Sequence, residues 1–86
     1  MPKITIYTTD ICPYCQRAKL LLNNKGVNAI TEIRVDMDPA QLDIMIQKTG
    51  QRTVPQIYID DFHVGGFDDL AALDRSGELG PLLIKA

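Results

Sequence analysis

The spacing of apolar residues changes period twice within the first 35 positions, and this leaves the chain few ways to fold. Lys3-Ile4-Thr5-Ile6-Tyr7-Thr8 alternates and is rich in β-branched and aromatic residues, which predicts a strand. From Pro13 to Lys25 the period becomes helical. Cys15, Ala18, Leu21 and Leu22 share one face, while Gln16, Arg17, Lys19 and Asn23 fall elsewhere. Pro13 suits a first helical turn, and Gly26 suits the position just past the end. Ile30-Thr31-Glu32-Ile33-Arg34-Val35 reads as a second strand. A strand, a helix and a strand in that order form a right-handed parallel unit.

The remainder extends this unit. Asp38-Pro39-Ala40-Gln41 announces a helix, with an acid as N-cap, Pro at the first position and Gln three residues after the cap. Leu42, Met45, Ile46 and Thr49 form its buried face, and Gly50 ends it. Gln56-Ile57-Tyr58-Ile59 and Phe62-His63-Val64 are strands joined at Asp60-Asp61 into a hairpin, which Gly65-Gly66 breaks. Phe67-Asp68-Asp69 opens a third helix that stops near Ser76-Gly77, and residues 79–83 add a short helical turn. The order β-α-β-α-β-β-α predicts an α/β fold, with a four-stranded mixed sheet and helices on both faces.

With 86 residues there is room for one core, so residues 1–86 are expected to form a single domain. An apolar content of 45% with 23% charged residues excludes disorder and collagen-like repeats, and two cysteines exclude a disulfide-dense miniprotein. No apolar run approaches the length of a membrane span. Met1-Pro2-Lys3-Ile4 has no apolar leader, so a cytoplasmic location is expected. A net charge of −2 offers no overall attraction for nucleic acid. The charge is uneven: residues 1–34 carry five Lys/Arg against two acids, and residues 35–86 carry four against nine. This reads either as solvated faces of opposite sign or as a substrate site with two poles.

The sharpest chemical signal is Cys12-Pro13-Tyr14-Cys15, between the first strand and the first helix. Cys12 falls where free backbone N–H groups and the helix dipole favour an anion, the nucleophilic thiolate. Cys15 lies one turn in on the apolar face, which predicts an exposed attacking thiol and a shielded resolving one. Arg17 and Lys19 are expected to add positive potential nearby. A structural disulfide, a zinc site and two unrelated buried cysteines are the competing readings. A four-residue loop removes little chain entropy, and zinc needs four ligands where the chain offers two Cys and His63.

Two further signals accompany it. Thr53-Val54-Pro55 leads into the third strand and reads either as a loop proline or as a cis Val54–Pro55 bond that frees the Val54 backbone to pair with an extended peptide. Gly65-Gly66-Phe67-Asp68-Asp69 allows close backbone approach ahead of a helix N-terminus. Its acids read either as an N-cap, Asp68 above all, or as a partner for an amine. N–H donors beside an acid suit an α-amino acid head group. His63 reads as a hairpin surface residue.

These three motifs, in this order and over essentially the whole chain, resemble the dithiol glutaredoxins, and among them the small bacterial glutaredoxin 3 type. The resemblance implies a thioredoxin fold and glutathione-dependent reduction of protein disulfides and protein–glutathione mixed disulfides. It implies Cys12 as nucleophile and Cys15 as resolving thiol. Tyr14 would flank the glutathione groove, Thr53 and Val54 would meet the cysteinyl backbone beside a cis Pro55, and Gly66, Phe67, Asp68 and Asp69 would hold the γ-glutamyl end. It further implies no tightly bound cofactor and no metal, glutathione as co-substrate, disulfide-containing or glutathionylated proteins as partners, and a monomer serving electron transfer and redox homeostasis. Two positions depart from the pattern. Relatives carry Lys where Thr9 stands, and Arg52 is the candidate substitute for binding the glycyl carboxylate. Phe67 stands where relatives often have a small residue or Cys. Two alternatives remain beside this reading: an electron donor reduced by thioredoxin reductase, and an iron–sulfur cluster carrier.

Overall fold

Alternation along β1 (Ile4–Thr8) sends Ile4 and Ile6 to one side of the sheet and Tyr7 to the other, and all three are buried. In the computed structural model, which describes residues 2–84, β1 is therefore a central strand covered on both faces. Its neighbours are β2 (Ile30–Arg34), parallel to it, and β3 (Gln56–Ile59), antiparallel. The hairpin partner β4 (Phe62–Gly65) completes the order β2-β1-β3-β4. The mixed four-stranded sheet is the one expected from the element order.

Four helices cover the sheet: α1 (Pro13–Asn24), α2 (Pro39–Thr49), α3 (Phe67–Ser76) and α4 (Leu79–Ile84). The larger core joins Ile4, Ile6, Ile57 and Ile59 of the sheet to Ala18 and Leu22 of α1, Leu70 of α3, and Leu79 and Leu83 of α4. On the opposite face Tyr7, Val35 and Tyr58 pack with Met45 of α2. Three helices thus share one face, and α2 alone covers the other.

Helix boundaries follow local chemistry. The Asp38 carboxylate accepts the Ala40 N–H at 3.1 Å, and Gly50 closes α2 with φ 71°. That cap works through Asp38 and the second helical N–H. The reciprocal contact expected from Gln41 is not among its hydrogen bonds. Gly66, not Asp68, is the N-cap of α3, which corrects the expectation for that acid. The strand expected from Lys3 begins at Ile4, because Lys3 instead clasps the hairpin turn. Its N–H donates to Asp60 Oδ1 at 2.9 Å, and its carbonyl accepts the Asp60 N–H at 2.8 Å.

β4 carries a register shift: Tyr58 faces His63, but Ile57 faces Gly65, so Val64 is an extra residue in the ladder. This bulge bends the edge strand and delivers Gly65-Gly66 to the start of α3. Among the described residues no helix is long and apolar enough to cross a membrane. Leu22 is fully buried between α1 and the sheet. Leu22→Ala should therefore cost about 2–5 kcal/mol in urea unfolding, whereas the exposed Leu20→Ala should stay within about 0.5 kcal/mol of the parent.

Candidate active site

The turn after β1 delivers Cys12 to the N-cap of α1 with extended backbone (φ −145°, ψ 98°), so its side chain points back over the first helical turn. Pro13 follows at the first helical position, where no backbone N–H is needed. The Cys15 N–H donates to Cys12 Sγ at 3.2 Å, so a sulfur fills the place usually taken by a Ser or Asp oxygen. Cys12 and Cys15 are joined as a disulfide with their Cα atoms 5.2 Å apart. Cys15 is 1% exposed and Cys12 is partly exposed, the division of labour expected from their helical positions.

Facing the sulfurs is the loop before β3, with a cis Val54–Pro55 peptide. Cys12 Sγ lies 3.9 Å from the Val54 carbonyl oxygen. A groove beside this point is lined by Thr53, Val54 and Pro55 together with Tyr14, Gly66, Phe67, Asp68 and Asp69. The Tyr14 and Phe67 rings approach to 6.0 Å between centroids and form an aromatic wall. Tyr14 is half-exposed, and the Arg17 guanidinium sits 5.2 Å from its ring centroid.

The N-terminus of α3, which also lines the groove, is arranged by Asp69. Its carboxylate accepts the Gly66 N–H at 3.0 Å, the half of a capping box that remains when the cap residue has no side chain. Gly65 adopts φ 111°, and a Cβ there would overlap the Asp69 carboxylate, so both the conformation and the close approach require glycine. Asp68 is exposed beside it and lines the groove.

Eight of the nine expected groove residues thus line one groove, beside the cysteine pair. Arg52 does not: it is exposed, and Gln51 takes the neighbouring place in the wall. Gln56 also reaches the groove. Only its position, as a polar residue in an otherwise apolar strand, could have flagged it. Lys19 is turned away from the sulfurs and pairs with Glu32 at 3.1 Å, so of the two nearby cations only Arg17 borders the groove through Tyr14.

Three of the cations, Lys19, Lys25 and Arg34, meet acids in ion pairs. Lys25 meets Asp74 at 2.6 Å, joining α1 to α3. Glu32 also accepts the Thr8 hydroxyl at 2.6 Å; that bond chiefly, with Lys19, holds its carboxyl below the ordinary range against the opposing effect of burial. Arg34 donates to both Asp36 oxygens at 2.8 and 2.7 Å, and Asp36 Oδ2 in turn accepts the Asp10 N–H at 3.1 Å. The loop ahead of Cys12 is thereby tied to the end of β2.

Comparison with known proteins agrees with this geometry. The family model described as glutaredoxin matches residues 4–64. Glutaredoxin 3 of Escherichia coli (strain K12) is 52% identical over 83 residues, spanning 96% of this chain and 99% of that protein. A glutaredoxin of Pseudomonas aeruginosa is 53% identical over 83 residues, spanning 96% and 98%. Among solved structures, a buckwheat glutaredoxin–glutathione complex superposes with a TM-score of 0.87 at 33% identity, covering 95% of this chain and 76% of that one. A Brucella melitensis glutaredoxin superposes at 0.84 with 46% identity, covering 96% and 89%.

The Asp36 anchor carries a pH signature. The Arg34 hydrogen bonds, with lesser help from the Asp10 N–H, lower the Asp36 pKa from 3.8 to about 2. A depressed acid stabilises the fold above its unfolded pKa, and the contribution fades as pH falls through the folded value. The anchor should thus be complete above about pH 4 and lost near pH 2, as followed by NMR titration of the Asp36 carboxyl. At neutral pH Asp36→Asn should speed hydrogen exchange of the Asp10 amide, with little change in overall stability.

Proposed function

The chain belongs to the glutaredoxin family and is a glutathione-dependent thiol–disulfide oxidoreductase, and from its groove we propose which residues perform that reaction and on what. Cys12 is the nucleophile. In the reduced protein its thiolate is favoured by the Cys15 N–H and by the N-terminus of α1. It attacks the glutathione sulfur of a protein–glutathione disulfide. A Cys12–glutathione disulfide forms, and the protein thiolate leaves and takes up a proton. A second glutathione thiolate then attacks the bound glutathione sulfur, releasing oxidised glutathione and the Cys12 thiolate. Alternatively the Cys15 thiolate attacks Cys12 Sγ and expels glutathione. The product of that branch is the Cys12–Cys15 disulfide.

The remaining roles follow the groove from the sulfurs outward. Tyr14 and Phe67 form the wall along the tripeptide. Thr53 and Val54, beside Pro55, present the backbone that pairs with the cysteinyl residue. The N–H groups after Gly66 receive the γ-glutamyl carboxylate, and Asp68 or Asp69 receives its ammonium. The glycyl carboxylate has no Lys partner here, because Thr9 stands at that position. Gln51 and Thr53 are the polar groups bordering that end, and Arg52 is left as a solvated loop charge. Residues 1–86 act as one domain, as a monomer, in the reducing cytoplasm, on disulfide-containing and glutathionylated proteins. One observation carries this reading: a partly exposed, N-capping cysteine lies 3.9 Å from the Val54 carbonyl of a cis-proline loop, and that loop lines one groove with a glycine-led helix N-terminus and two acids. Service by thioredoxin reductase alone would leave that second end of the groove without a purpose.

Two experiments test it. Cys12→Ser should abolish activity on every substrate. Cys15→Ser should still reduce a glutathionylated peptide, which needs one thiol, and lose direct reduction of a protein disulfide. Equal damage from both substitutions would overturn the one-thiol route. For the glutamyl end, Asp69→Asn keeps an acceptor for the Gly66 N–H and removes the charge. It should lower kcat/KM for a glutathionylated peptide about three- to tenfold with an unchanged Tm, the scale of a partly exposed charge-assisted bond. Arg52→Ala should change kcat/KM by less than about twofold.

A further inference from the structure

β3 contains one buried polar side chain, Gln56, only 1% exposed between the cis-proline loop and an apolar core. Its orientation is fixed by its partners. Nε2 lies 3.0 Å from the Thr53 carbonyl oxygen, which only accepts, and 3.2 Å from Thr53 Oγ1. Oε1 therefore points the other way, where His63 Nε2 lies at 2.8 Å. An amide oxygen cannot donate, so His63 Nε2 must carry the proton, and it does so in both the neutral and the charged imidazole. His63 is held in place by the sheet. The bulge sets it opposite Tyr58, and the two rings stack at 4.9 Å between centroids.

We propose that His63 is a positioning residue for the glutathione groove: its Nε2–H fixes the Gln56 amide, which in turn holds the Thr53 carbonyl and the Thr53-Val54 backbone facing the cysteinyl part of glutathione. This rests on the groove reading given above. Without the imidazole donor, Gln56 Oε1 is buried with no hydrogen bond. Rotating the amide to relieve it would turn an oxygen toward the Thr53 carbonyl, oxygen against oxygen. Either outcome loosens the loop that carries Val54, whose carbonyl lies 3.9 Å from Cys12 Sγ. Because both imidazole forms donate, His63 acts as a fixed support and not as a pH switch.

The test uses the pre-reduced full chain with two substrates, a glutathionylated peptide and a small disulfide without glutathione. His63→Phe keeps a ring over Tyr58 and removes the donor. It should lower kcat/KM for the glutathionylated peptide about three- to tenfold and change the rate on the small disulfide less than about twofold. His63→Gln, whose amide nitrogen can occupy the place of Nε2, should restore most of the loss. On the unmodified protein, the 15N imidazole spectrum of neutral His63 should show the Nε2–H tautomer almost exclusively, and Gln56→Met should relax it toward the tautomer mixture of a free histidine. An Nδ1–H tautomer in the parent protein overturns the proposal, as does an equal loss on both substrates or a failure of His63→Gln to rescue. If His63→Phe is neutral while Asp69→Asn lowers kcat/KM, the support role is wrong and the groove stands. If neither lowers it, the groove reading fails and the proposal fails with it.

Discussion

The arrangement depends on a helix N-terminus that must be capped at the point where the chain leaves β1. Unpaired N–H groups there need an acceptor, and the acceptor supplied is the Cys12 sulfur. That single requirement fixes several things together. It places Cys12 at the edge of the fold and Cys15 one turn in, buried against the sheet. It also favours a negative sulfur, because the cap is stronger when the acceptor is charged. The sulfur that completes the helix is therefore the one whose negative form the fold favours. When Cys12 is consumed in a mixed disulfide or in the bond to Cys15, the same sulfur remains positioned over the helix.

The sheet brings the second half of the groove to this helix end. β1 and β3 are antiparallel neighbours, so the end of β1 and the start of β3 lie side by side, Cys12 beyond one and Val54-Pro55 before the other. The hairpin β3–β4 then returns the chain to the same end, and the bulge at Val64 turns it into α3. Three loops far apart in sequence thus meet at one rim. Ion pairs hold the periphery, with Asp36 and Arg34 tying the loop ahead of Cys12 and Lys25–Asp74 tying α1 to α3. As exposed pairs they contribute modestly to stability, and their value lies in placement.

Periodicity and punctuation made most of the fold legible before any coordinates. Alternation marked β1, short runs of β-branched and aromatic residues marked the other strands, and Pro and Gly marked the starts and ends of α1 and α2. The thiol pair was legible because spacing at a helix start dictates its geometry. What escaped was long-range. Whether Asp68 or Gly66 caps α3 depends on where the bulged β4 releases the chain, and periodicity does not register a bulge. Arg52 was the substitute for the absent Lys by charge and sequence distance; it is exposed, and its neighbour Gln51 is the residue that lines the groove. Lys19 looked near the sulfurs by helical position, yet Glu32 on the neighbouring strand claims it. Gln56 and His63, seven residues apart across a hairpin, become partners only once the register is known.

The bulge in β4 has a consequence for behaviour in concentrated solution. A sheet's outer strands carry unpaired backbone groups, and long flat ones recruit strands from other molecules. Here the β4 edge is four residues long and bent by its extra residue, while the β2 edge bristles with Glu32 and Arg34 and their charged partners. Neither side offers a straight template for intermolecular pairing. Two short, bent or charged edges thus leave the sheet little means of recruiting strands from other molecules, even when the protein is concentrated.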